Sequence, residues 1–273
     1  MSAQAPALRT LADQLGRSLR LAASPCRIVS LCPSVTETLF ALGAGGRVVA
    51  RTDYCRHPAE AIVALPSIGG TKRVDETRLR ALAPDLVVSI REENDEAQIA
   101  ALSQDLPVLI LDPVDIASAL RGIRLLGGAV GHQAQGLALA QAIADAFDAL
   151  PRLDHCEAAY LIWRKPFMVA GHGTYIGDVM ARLGFVNIAG TTGRYPILDA
   201  RTLEARPPKF LLAASEPFPF SEKYVPELRR LAPGARVVLV DGEMFGWHGA
   251  RMLKAADYFH HHIPLWKAAL GQA

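Results

Sequence analysis

Short apolar runs alternate with helix-period segments along most of the chain. Residues 27–31, 47–50, 86–90 and 108–111 read as buried strands, and so do 158–163, 209–214 and 237–240. Helical patterns stand between them, over 36–43, 76–82 and 175–183, and a final helix runs to about Leu270. Strand and helix in alternation predict α/β units built on parallel sheets. Near the start, Leu8 to Ala23 reads as a hairpin that turns at Gly16 or as one amphipathic helix, and the glycine with the Ser-Leu-Arg-Leu alternation favours the hairpin. The stretch from Asp115 to Leu150 holds no proline and lies between Pro113 and Pro151, with Ile116, Leu120, Ile123, Leu139, Ile143 and Phe147 at helical spacing. As one helix it would be roughly 50 Å long. The glycines at 127, 128 and 131 could kink it or split it in two. The expected fold is therefore α/β. Two Rossmann-like lobes, 1–113 and 152–273, are joined by one long backbone helix over 114–151, with a ligand in the gap between them.

Composition removes several function classes. Lys plus Arg is 29 against 27 Asp plus Glu, so nothing in the charge favours nucleic acid or an anionic membrane. No apolar run approaches the ~18 residues of a membrane span. Residues 1–26 lack a basic segment followed by an apolar one, which predicts a cytoplasmic protein if Met1 is the start. Cys26, Cys32, Cys55 and Cys156 form no CxxC pair and are expected to be inert thiols. The Gly-rich turn from Pro66 to Lys72 lacks the phosphate-loop spacing. No GxSxG, HExxH or dinucleotide fingerprint occurs.

The candidate chemistry gathers where strands end. After the first strand, Ser34 and Thr36 open a helix whose N–H groups suit an anionic or amide oxygen, with plain capping by Ser34 as the other reading. Thr52, Tyr54, Gly70, Thr71, Lys72, Glu92 and Asn94 follow at the other strand ends of the first lobe, with Glu92 and Glu93 placed at the start of a helix. In the second lobe the corresponding loops carry Trp163, Arg164, His172, Tyr175, Glu216, Phe218, Phe220, Glu243, Phe245, Trp247 and His248. Carboxyl ends of parallel strands share one edge, so these residues are expected to line facing walls, aromatic and acidic, suited to a flat and partly apolar ligand. Two alternatives stay open. His172, His248, Glu216 and Glu243 could ligate zinc, manganese or iron directly. Glu92 and Glu93 facing Glu216 and Glu243 could make an acid–base pair. His260, His261 and His262 read as a solvated patch.

Several stretches resemble the class III substrate-binding proteins of ABC importers, the cobalamin and iron-siderophore type. They are 13–43 (DQLGRSLRLAASPCRIVSLCPSVTETLFALG), 81–89 (ALAPDLVVS) and 245–252 (FGWHGARM). EEN at 92–94, SEPFPF at 215–220 and DGEMF at 241–245 resemble the helical backbone metal receptor group within it. The resemblance implies a non-catalytic binder of a metal chelate, whether corrinoid, haem-like tetrapyrrole or iron–siderophore complex. It also implies a periplasmic setting and a permease that docks on one carboxylate per lobe. Glu76 fits that role in the first lobe. In the second, Arg201 stands near the expected acid, with Asp199 and Glu204 beside it. Gly69–Lys72 replaces the tryptophan-bearing loop of cobalamin binders.

Overall fold

A computed structural model describes residues 8–191 and 193–271; residues 1–7 of the segment read for a leader lie outside it. The chain forms two compact units. The first holds residues 8–113, Ala117–Ala144 and His248–Arg251, and the second holds Val114–Ile116, Asp145–Trp247 and residues 252–271. No helix among the described residues is long and apolar enough to cross a membrane.

In the first unit, β1 (Leu8–Ala12) and β2 (Ser18–Ala22) pair as the expected hairpin, with Gly16 at positive φ in its turn. A parallel sheet follows, built from β3 (Ile28–Ser30), β4 (Val48–Ala50), β7 (Leu86–Ile90) and β8 (Val108–Leu111) in the order β4-β3-β7-β8. β5 (Gly69–Gly70) and β6 (Arg73–Val74) form a minimal hairpin. The helices are α1 (Pro33–Ala41), α2 (Ala59–Ile62), α3 (Glu76–Ala81) and α4 (Glu96–Leu102). Side chains alternate across each strand. Leu86 and Val88 pack one face with Val35 and Leu39 of α1, while Val87 packs the other with Leu79 of α3 and Ile99 of α4. Both faces are covered, which is why these strands read as unbroken apolar runs.

The segment expected as one helix is two, α5 (Ile116–Ala129) and α6 (Gln133–Asp148). The break is a Schellman turn. His132 N donates to Gly127 O at 2.8 Å, Gly131 N donates to Gly128 O at 3.1 Å, and Gly131 takes φ +76°. Arg9 donates to the carbonyls of Gly128 and Ala129, and Arg47 to that of Val130, so cations meet the negative end of α5. A Cβ on Gly127 would lie 2.7 Å from the Gly136 Cα, so the glycines here also let the two backbones touch.

The second unit repeats the arrangement. β9 (Cys156–Trp163), β11 (Phe185–Asn187), β12 (Phe210–Ala214) and β13 (Arg236–Val240) are parallel, with β11 and β12 on either side of β9 and β13 beyond β12. β10 (Met168–Val169) pairs antiparallel with the end of β9. The helices are α7 (Tyr175–Arg182), α8 (Ala200–Ala205), α9 (Val225–Leu231), α10 (Gly242–Gly246) and α11 (Arg251–Ala269). Tyr160, Phe245, Phe259 and Trp266 form an aromatic core on one face, with the Phe245 ring centroid 4.8–6.5 Å from the other three. In both sheets the first strand sits between the second and the third. Each sheet therefore has one switch point, between β3 and β7 and between β9 and β12, where ligands of open α/β sheets are taken.

Candidate functional site: the carboxyl edges of the two sheets

At the first switch point, Asn94 fastens three segments. Its Nδ2 donates to Leu31 O at 3.2 Å and to Thr71 O at 2.9 Å, and its Oδ1 accepts from Ile90 N at 2.9 Å and from Cys32 Sγ at 3.2 Å. Lys72 Nζ reaches the Glu92 carbonyl from the same turn. Thr36 Oγ1 donates to Ser30 Oγ at 2.8 Å and lies 3.1 Å from Cys55 Sγ, which is 3.3 Å from Thr52 Oγ1. Thr36, Thr52 and Asn94 are buried and spend their polar atoms on neighbours, which corrects their expected place on a ligand wall; Thr71 is buried as well. Burial, then the Glu93 charge and Cys55, pushes the Cys32 thiol well up, so it is inert as expected. Glu92 and Glu93 stand in the turn before α4, not in its first turn; Asp95 caps that helix. Desolvation, followed by the Glu92 charge, raises the Glu93 carboxyl. Tyr54, Lys72 and Glu93 of this edge face outward. Tyr54 is 56% exposed, and its ring flanks Gly70, where a Cβ would sit 3.4 Å from Tyr54 Cε2.

Ser34 does not cap α1, whose N-cap is Cys32 and whose first residue is Pro33. Its hydroxyl instead lies 3.4 Å from His248 Nε2. Residues 248–251 lie along α1 as a clip. Gly249 takes φ +84°, and a Cβ there would come 2.1 Å from Thr38 Oγ1. Ala250 N donates to that oxygen at 3.0 Å, and buried Arg251 Nε donates to Glu37 Oε2 at 2.8 Å. A small cavity beside it, with room for about one water, is lined by Gln14, Ser34, Thr38, Gly122 and His248. Desolvation lowers His248 to about 4, so it is neutral here.

At the second switch point, aromatic packing replaces the amide. Phe218 N donates to Ile162 O at 3.2 Å, tying the loop after β12 to the end of β9. The Phe218 ring lies 5.9 Å from Trp163, 4.8 Å from Phe220 and 5.2 Å from Tyr224. Arg164 crosses the Tyr224 ring at 5.2 Å and donates to Glu227 at 2.9 Å. Trp163 is 43% exposed. Trp247 Nε1 donates to Glu216, and Asp241 caps α10 by accepting from Glu243 N at 3.0 Å. The expected loop over 241–248 is thus partly helical.

Phe245, Phe220 and Tyr175 are buried in packing, so they leave the expected wall. His172 is exposed in the turn before α7, whose cap is Thr174. Among the described residues no group of three or more His, Cys, Asp or Glu is placed to hold a metal ion. The sequence reading passed over Tyr160, Glu227 and Tyr224. Only the polar tip of Tyr160 inside an apolar strand could have flagged that residue.

A family model for periplasmic binding proteins matches residues 28–227. This chain belongs to that family. A vitamin B12-binding protein of Pectobacterium carotovorum is 24% identical over 246 residues, covering 86% of this chain and 87% of the relative. A vitamin B12-binding protein of Yersinia pestis is 34% identical over 93 residues, a third of this chain. Among solved structures, the periplasmic vitamin B12-binding protein BtuF of Vibrio cholerae superposes with a TM-score of 0.73 at 18% identity, covering 88% of this chain and 97% of that one. The haem-binding protein BhuT, in complex with two haems, gives 0.74 at 24%, covering 88% and 98%. The class III α/β fold expected from the sequence is thereby shown. The family and these two solved relatives are periplasmic binding proteins, and the cytoplasmic expectation gains no support from them.

Proposed function

We propose that this chain binds a metal chelate without turning it over, as the binding component of an ABC importer in a periplasmic setting. The ligand is of corrinoid, tetrapyrrole or siderophore type, and it meets the loops at the carboxyl edges of the sheets. The observation that carries this reading is the switch point in each sheet with an exposed aromatic close to it, Tyr54 in one unit and Trp163 in the other. Flat, partly apolar chelates stack on such rings. Glu92, Glu216 and Glu243 supply the polar contacts. Glu76, paired with Arg80 at 3.7 Å, and exposed Glu204 are the surface acids offered to a permease. Native mass spectrometry and an absorbance spectrum of untagged protein from its own host test the reading. A bound mass with a visible band is expected. A ligand-free protein that also takes up no corrinoid, porphyrin or ferric siderophore on titration ends it.

A further inference from the structure

Glu216 stands at the second switch point with its direction fixed. Its chain crosses Gly242 closely, since a Cβ on that glycine would lie 2.5 Å from Glu216 Cγ. The indole N–H of Trp247 donates to its Oε1. Under the same edge, the Tyr160 hydroxyl is buried and has no hydrogen-bond partner among the described residues. Burial, and then the charges of Glu216, Tyr258 and Asp241, keep that phenol protonated. Arg164, at the end of β9, is taken up by Glu227. An ionised carboxylate only accepts hydrogen bonds. Asp241 and Glu243, next along the chain at the end of β13, carry the same sign. The Tyr160 hydroxyl is sealed beneath the packing, so this edge shows a ligand carboxylates, and a group that meets it gains by bringing N–H donors and loses by bringing carboxylates.

We propose that Glu216, oriented by Trp247, is a specificity-determining residue that selects chelates edged with carboxamide N–H donors against chelates edged with carboxylates. The inference rests on the chelate-binding reading and names the class of chelate. Trp247 is a positioning residue, because it acts through Glu216.

Calorimetric titration of the full chain with dicyanocobinamide, which bears carboxamides, and with ferric protoporphyrin, which bears two propionates, tests it. The wild type is expected to favour the corrinoid at least tenfold, about one charge-assisted hydrogen bond. Glu216→Gln should cut that preference about tenfold. Trp247→Phe should cut it in the same direction by less, and should add little to Glu216→Gln in the double variant. Should Glu216→Gln lose its native circular dichroism, the ratio in Trp247→Phe decides. Porphyrin bound as tightly as the corrinoid, or an unchanged ratio in the folded variants, overturns the inference while leaving chelate binding in place. A wild type that takes up neither probe, nor any ferric siderophore, ends the chelate-binding reading, and this inference with it.

Discussion

The two sheets share one strand order, and their switch points are held by different chemistry. Between β3 and β7 one buried amide, Asn94, bonds to backbone on three segments. Between β9 and β12 the rings of Trp163, Phe218, Phe220 and Tyr224 do the fastening, above the backbone hydrogen bond from Phe218 N to Ile162 O. Hydrogen bonds are directional, and a buried donor left unpaired is expensive. Ring packing is tolerant of shape and needs no exact partner. The first edge is thereby fixed by specific atoms and the second by packed rings, while each leaves one aromatic side chain outside, Tyr54 and Trp163. Topology sets where a ligand can be taken; the side chains decide how rigid each edge is and what it shows.

Four changes would break or sharpen that contrast. The largest effect is expected from Arg251→Ala, which removes the buried ion pair with Glu37 in the first unit. Urea denaturation should show a loss of about 3–5 kcal/mol. A loss under 1 kcal/mol would mean that the ion pair is solvated. Asn94→Ala should cost about 2–3 kcal/mol, because it leaves Ile90 N–H and two carbonyls unpaired. Asn94→Leu should recover nothing, since volume is not what Asn94 supplies. Phe218→Ala should cost about 2 kcal/mol, and here Phe218→Leu should recover most of it. If leucine rescues both sites or neither, the two edges do not differ in the way described. The smallest effect is on pH dependence. His248 is held near 4, against about 6.5 in an unfolded chain. The unfolded state therefore binds the extra proton between these values, and stability should fall as pH drops from about 6.5 toward 4. His248→Gln should flatten that part of a melting-temperature profile. A profile identical to wild type would show that folding does not lower the His248 pKa.

Much of the fold was legible because burial on both faces writes itself as apolar runs, as in Leu86–Ile90 and Phe210–Ala214. The hairpin at Gly16 and the Thr174–Tyr175 helix start were equally open, being local turn chemistry. The break at Gly131 had a visible signal in its glycines. Deciding between kink and stop, however, took the carbonyl partners Arg9 and Arg47, which lie about a hundred residues away. The candidate site was less legible for the same reason. Thr36 and Asn94 look like ligand-facing polar residues at strand ends until their partners are seen. The Asn94 amide bonds to a carbonyl 63 positions earlier. Phe220 and Phe245 lie in loops and helix turns rich in aromatics, and only packing tells a core ring from an exposed one. Tyr54 and Trp163 were named with the rest, and exposure singles them out.

The clip at residues 248–251 has a consequence for how the chain is made. Glu37 and Arg251 are separated by 214 positions, and Thr38 and Ala250 by 212. A nascent chain that has emerged as far as α6 already carries every strand of the first sheet, yet the segment that covers α1 is still to be translated. During vectorial synthesis Glu37 and Thr38 must wait, solvated, until more than two hundred further residues have been added. The first unit therefore cannot be cut out as a contiguous fragment with its native surface intact. An expression fragment that ends before residue 248 would expose a carboxylate and a hydroxyl that residues 248–251 cover.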